Sequence, residues 1–328
     1  ILNLPPEIRG PHMFKDGGMV GHERLKLYAK SLHSRYQQLK EYGQSRKVFK
    51  ENSKPKLLAS GFHFVEGPAD NGLGDVYFSD IPKDRIYKYS ADSKLSIFME
   101  DIKGTNGLFF SDDGSLLVCA GGERKLLSIN AKGQLKTLAH TYNGKKLNSP
   151  NDMWPDDRGG IYFTDPRYGN RDNMEMKKEC VYYLTPERKL IRVIDDMVRP
   201  NGIIAAPDGS KLYVTDLGSK KTYSYSINID GSLTDKTLFI NEGSDGMTAD
   251  TRGNIYITHQ SEKAVKVYNP AGKLIDKMKI PETPSNLCFY SKQNNKLFVT
   301  AVTSTYSIDM NVKGIKREPE TKPGLFFD

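Results

Sequence analysis

The chain repeats one short phrase six times, and that repeat constrains its fold more than any other feature. The runs DVYFSD (75–80), SLLVCA (115–120), GIYFTD (160–165), KLYVTD (211–216), NIYITH (254–259) and KLFVTA (296–301) end 40, 45, 51, 43 and 42 residues apart. Spacings of about 40–45 residues are those of four-stranded propeller blades, units that bury their faces only against one another. Each run follows an apolar segment and, in four units, a turn such as SDDG, PDDRGG, APDG or DTRG, so the pair reads as strand, tight turn, strand. Third strands follow, among them RIYKYS, KLLSIN, CVYYLT, TYSYSIN and AVKVYN. Fourth strands follow in five units: KLSIFMED, QLKTLAH, KLIRVIDD, TDKTLFIN and KLIDKMKI. The sixth unit lacks one after SIDMNV, and an unmatched strand of the same type, KPKLLAS (54–60), precedes the first unit. The expectation is an all-β, six-bladed β-propeller over 54–312, closed by that early strand so that no unpaired edge remains in the ring.

Outside the repeat, Leu25, Tyr28, Leu32, Tyr36 and Leu39 recur at helical spacing, which predicts an amphipathic helix over about 22–42 within an N-terminal extension, 1–53. Residues 313–328 read as a C-terminal tail. The 48 Lys and Arg that give a net charge of +8 are scattered rather than gathered with aromatics, which argues against a nucleic-acid partner. No apolar run approaches the roughly eighteen residues of a membrane span. Cys119, Cys180 and Cys288 are too few and too isolated for a disulfide framework or a zinc cluster and read as buried thiols. Residue 1 is Ile, as in a processed or truncated chain, and a periplasmic or secreted location is expected over a cytoplasmic one. The sequence is silent on oligomeric state.

Counting back 14 or 15 residues from the end of each repeated run lands on Glu66, Asn106, Asn151, Asn201, Asp245 and Asn286, all carboxylates or carboxamides. These positions start the first, innermost strand of each blade, so six oxygen-bearing side chains are expected at one end of the central channel. Oxygen donors without His or Cys suit a hard cation such as Ca²⁺. Any one of them could equally satisfy turn backbone at a strand start.

The segments VEGPADNGLGDVYFSD, LNSPNDMWPDDRGGIYFTDPRYG, RPNGIIAAPDGSKLYVTD, GSDGMTADTRGNIYIT and TPSNLCF, in this order, resemble the gluconolactonase, senescence marker protein and luciferin-regenerating enzyme family of six-bladed propellers. The resemblance covers about 55–312. It implies a metal-dependent hydrolase that opens a sugar or related small lactone, with one divalent cation, usually Ca²⁺ (Zn²⁺, Mg²⁺ or Mn²⁺ being others), on Glu66, Asn151, Asn201 and Asp245. Asp245 is the expected general base, with Asp152 as second candidate. Asn106 and Asn148 become candidate substrate contacts, and Asn286 either a channel-mouth group or a plain strand start. The chain departs from the pattern where Ala120, Gly121 and Gly122 replace a His-Gly pair and where Ser149 replaces a sugar-holding Arg. Between the second and third strands of blade 3, Pro166 to Glu179 intervene on the face expected to carry the metal. This insertion reads as a lid with Arg167 and Tyr168 nearest the site, or as a surface excursion. The rival readings are a diisopropylfluorophosphatase-like phosphotriesterase on the same ligand set and a non-catalytic propeller binding a ligand or protein.

Overall fold

The structure is a computed structural model describing residues 47–315. The helix expected over 22–42 falls outside the described residues. Among those described, the only helical element is a single 3₁₀ turn, Ile81–Lys83, and none is long and apolar enough to cross a membrane.

Six four-stranded antiparallel sheets form the ring. Blade 1 runs outward through Val65–Asp70, Val76–Asp80, Arg85–Tyr89 and Leu95–Glu100, and blade 2 through Thr105–Phe110, Leu116–Ala120, Lys125–Ile129 and Leu135–Ala139. Blade 3 comprises Met153–Pro155, Ile161–Asp165, Cys180–Leu184 and Leu190–Ile194, and blade 4 Pro200–Ala205, Lys211–Asp216, Lys221–Ile227 and Leu233–Ile240. Blade 5 comprises Met247–Ala249, Ile255–His259, Ala264–Tyr268 and Leu274–Lys279. Blade 6 takes Pro284–Tyr290, Lys296–Ala301 and Ser304–Asp309 from the end of the chain and Lys56–Ser60 from before blade 1, paired antiparallel with Lys56 opposite Ser307. The unmatched strand therefore closes the ring as its sequence predicted.

Burial explains why the second strands repeat so legibly. In blade 1 every residue of Val76–Asp80 is buried, whereas Leu95–Glu100 at the rim is almost wholly exposed. A strand sandwiched between neighbouring blades must be apolar on both faces. Those faces pack into clusters joining successive blades; at the closure, Tyr290 and Phe298 of blade 6 meet Phe62, Val65 and Phe78. The expected turns form as Asx turns: Asp156 Oδ1 accepts the Arg158 and Gly160 N–H groups, and Gly159 takes φ 86°, which an L side chain rarely adopts. Cys119 and Cys180 are buried, Cys288 is half-buried, and all three are free thiols.

Hydroxyls one residue before the end of the second strands peg three of the blades, 1, 4 and 5, to the next. Ser79 Oγ donates to Asn106 O at 2.9 Å, Thr215 Oγ1 to Ser244 O at 2.8 Å and Thr258 Oγ1 to Ser285 O at 3.0 Å. These bonds fix the heights at which the first strands enter the ring, and so the heights of the side chains at their starts.

A candidate active site where the first strands begin

Each first strand contacts its neighbours around the ring, which brings their starting residues together. The ladders refine the register. In blade 1 Glu66 lies opposite Ser79, and in blade 6 Asn286 lies opposite Thr300. In blade 3 the Thr164 N–H donates to Asp152 O at 2.9 Å and the Asp152 N–H to Thr164 Oγ1 at 3.1 Å, while Asn151, one residue ahead, donates its N–H to Thr164 O at 2.9 Å. The first strands of blades 1, 2, 4 and 6 carry a bulge within their ladders. Asp152 thus occupies the position that Glu66 and Asn286 hold in their blades, opposite the penultimate residue of the second strand.

Glu66, Asn151, Asp152, Asn201 and Asn286 are all buried. Asn201 Nδ2 donates to Asp245 Oδ1 at 2.6 Å and to the Tyr168 hydroxyl at 2.7 Å, and Gln260 Nε2 donates to Asp245 Oδ2 at 3.1 Å. Glu66 Oε2 accepts the Gly67 N–H at 2.8 Å. Burial pushes the Glu66 carboxyl well above its ordinary range, and the Asp245 charge pushes it further, against bonds from Gly67 and Asn286. Burial likewise raises Asp245 to about 6, with Asn201 and Gln260 opposing, and Asp152 to about 7, with Met153 and Asn286 opposing. Among the described residues, neither Glu66 nor Asp245 forms an ion pair with Lys, Arg or His.

This donor set fits a hard cation. Two carboxylates, buried Glu66 and half-buried Asp245, that disfavour one another's charge would each be stabilised by a positive ion between them. Because the Asn201 Nδ2 is engaged by Asp245 and Tyr168, Oδ1 is the atom left to ligate. Among the described residues no group of three or more His, Cys, Asp or Glu suited to a metal occurs, so a cation here would depend on amide oxygens beside the two carboxylates.

The blade 3 insertion reaches this cluster through one side chain. The Tyr168 ring is 40% exposed, but its hydroxyl end sinks to Asn201, and the Arg199 guanidinium lies 5.1 Å from the ring centroid. Arg167 is half-buried and turned into the insertion, donating to Asn148 O and Asn170 O at 2.9 and 2.7 Å and to Asn173 Oδ1. Asn148, the other candidate substrate contact of blade 3, lies beneath the insertion. It is fully buried, and its Nδ2 is bound to Asp165 O and Lys178 O, so it pins the insertion to blade 3. Asn106 stays half-buried, with its carbonyl held by Ser79.

Two sets of supporting residues escaped the sequence reading. Asp80, Asp165 and Asp216 end their second strands and each accepts a pair of backbone N–H groups just ahead of the first strand: His63 and Phe64, Asn148 and Ser149, Val198 and Arg199. A strand ending in Asp therefore clamps the segment that delivers the next site residue. Glycine is the other signal. Gly67, Gly107, Gly202 and Gly246 each follow a site residue, and a Cβ on any of them would collide with the neighbouring blade's backbone or, for Gly246, with Asn286. The doublets Glu-Gly, Asn-Gly and Asp-Gly could have been read as marks of close backbone approach.

Comparison with known proteins agrees with this architecture. The family description SMP-30/Gluconolactonase/LRE-like region matches residues 64–303. A gluconolactonase of Zymomonas mobilis is 29% identical over 280 residues, covering 75% of this chain and 78% of that protein. Lactonase drp35 of Staphylococcus aureus is 26% identical over 251 residues, covering 70% and 72%. The solved structure of a gluconolactonase from Xanthomonas campestris superposes with a TM-score of 0.75 at 28% identity, covering 81% of this chain and 91% of that one.

Proposed function

Because the chain belongs to the SMP-30/gluconolactonase/LRE-like family, we propose that it is a divalent-cation-dependent lactonase, Ca²⁺ being the cation the donors suit best, acting on a sugar or related small lactone. The observation that carries the reading is the pair of buried Glu66 and half-buried Asp245, two carboxylates that raise the cost of each other's charge and that, among the described residues, pair with no cationic side chain. Relatives named gluconolactonase and lactonase support the substrate class. Glu66, Asn151, Asn201 and Asp245 would hold the cation, which when bound supplies a Lewis acid that polarises the lactone carbonyl.

The chain's own groups then have separable tasks. Both oxygens of Asp245 are engaged by amides, which suits a fixed ligand more than a proton acceptor. Asp152 is the better base: Oδ1 is anchored on the Met153 N–H at 2.9 Å, and burial gives the carboxyl a proton affinity far above that of a free aspartate. Tyr168, hydrogen-bonded to Asn201, covers the mouth, shields the carbonyl from bulk water and restricts the poses a ring can take. The test is metal dependence read in two ways. Chelation should abolish lactone turnover and lower the melting temperature, and Ca²⁺ should restore both. Full turnover by metal-free protein would refute the proposal.

A further inference from the structure

The rim above the buried carboxylates carries more positive charge than its own acids neutralise. Glu179, the last residue of the blade 3 insertion, is buried to 5% exposure and serves three donors. Oε1 pairs with Arg171 Nη1 at 2.6 Å, while Oε2 accepts the Arg167 N–H at 3.0 Å and lies 3.7 Å from Arg199 Nε. Two guanidinium groups therefore share one carboxylate. The third, Arg167, is bound to two backbone carbonyls and an asparagine oxygen, all neutral. Three arginines and one glutamate leave an excess of two positive charges.

Arg199 is the member placed to use that excess. Its N–H is clamped by Asp216 Oδ1 at 2.8 Å, just before Asn201, and its guanidinium lies over the ring of Tyr168, whose other end touches Asn201. The charge is thus one tyrosine ring away from the atoms that would meet the lactone carbonyl. Its Nε is buried without a hydrogen bond, and its 3.7 Å separation from Glu179 is an ion pair and not a bond. With 38% of the side chain exposed, the guanidinium can still be reached by a ligand. A guanidinium is well matched to phosphate and carboxylate oxygens.

We propose that the lactone this site takes carries an oxyanion on a ring substituent, a phosphate or a carboxylate, which Arg199 binds at the rim while the ring carbonyl sits over Glu66 and Asp245. The inference rests on the lactonase reading and adds the substrate's charge to it. A neutral sugar lactone offers the exposed part of the Arg199 guanidinium no charge to pair with; an anionic one does.

The experiment compares three rings in the Ca²⁺-loaded protein: glucono-1,5-lactone, its 6-phosphate, and the corresponding 6-carboxylate, each measured above its spontaneous hydrolysis. At least one anionic ring should show the higher kcat/KM, by about tenfold to a hundredfold for one charge-assisted contact, mainly through KM. That advantage should shrink as salt is raised. Arg199→Met should collapse the ratio of anionic to neutral turnover and Arg199→Lys should recover part of it. The phosphate and carboxylate arms tell which oxyanion is meant. Equal use of neutral and anionic rings by the parent protein, or a ratio insensitive to salt, overturns the inference, and neither measurement depends on a variant folding. An unchanged ratio in Arg199→Met also overturns it. Hydrolysis of none of the three rings would take down the lactonase reading as well, whereas turnover of the neutral ring alone would sink only this inference.

Discussion

A carboxylate near the channel does one of two jobs here, and its partners decide which. Buried Glu66 and half-buried Asp245 lie beside amides and feel each other's charge, so removing one charge should weaken a cation site directly. Glu66→Gln or Asp245→Asn should lower Ca²⁺ affinity by about tenfold or more, given how strongly such sites depend on ligand charge; calorimetric titration equal to the parent would remove that residue from the ligand set. Asp216 does the structural job. Burial pushes its carboxyl up, but the Val198, Arg199 and Ser219 N–H groups and the Ser219 hydroxyl outweigh burial and hold it below the ordinary range. The folded state thus favours the ionised form. Its stabilising contribution is complete above a pH of about 4, the unfolded value, and is lost as pH falls through the depressed folded value. Acid melts should accordingly fall less steeply for Asp216→Asn than for the parent, and that variant should be less stable at neutral pH. Parallel acid limbs would contradict this account.

Elements differ in how much of their role a sequence can display. Second strands are packed on both faces, so their composition repeated visibly and the blades could be counted. Fourth strands are solvent-washed, and KLSIFMED reads as a strand mainly because of its place in the order. Bulges in blades 1, 2, 4 and 6 left no local signature, because they arise from fitting first strands against one another. The burial of Asn148 was hidden too, since its partners lie 17 and 30 residues away in a strand end and the insertion. That insertion is tied down more firmly than a free loop: Glu175 accepts the Lys146 N–H at 2.8 Å and pairs with Arg124 at 3.4 Å. Replacing 174–178 with a short Gly-Ser turn should therefore cost about 1–3 kcal/mol of stability, because the Asn148 amide loses Lys178 O. It should also release Tyr168, lower kcat/KM and reorder the preferred lactones. A shortened chain with parental melting and preferences would show the insertion to be idle.

At the scale of the whole molecule, the ring is held shut by Lys56–Ser60 on Ser304–Asp309 and by the aromatic cluster around Phe78 and Phe298. A chain beginning at Gly61 should therefore melt lower than one beginning at Lys47, by about 2–4 °C for each kcal/mol lost, and less cooperatively. Coincident melts would mean that the closing strand is dispensable. The closure also imposes an order in time. The Asp309 N–H and the Ser53 hydroxyl that meet beside it stand 256 residues apart, so Lys56–Ser60, made before all six first strands, finds its partner only when the sixth blade has emerged. Contacts of such long sequence separation form late, after much loop entropy has been lost. Until then the growing chain carries an apolar strand without its ladder and, on the newest blade, an open edge. The nascent protein is consequently most prone to pair with a second copy of itself just before it is finished, a hazard that belongs to the ribosome-bound chain and vanishes when the circle closes.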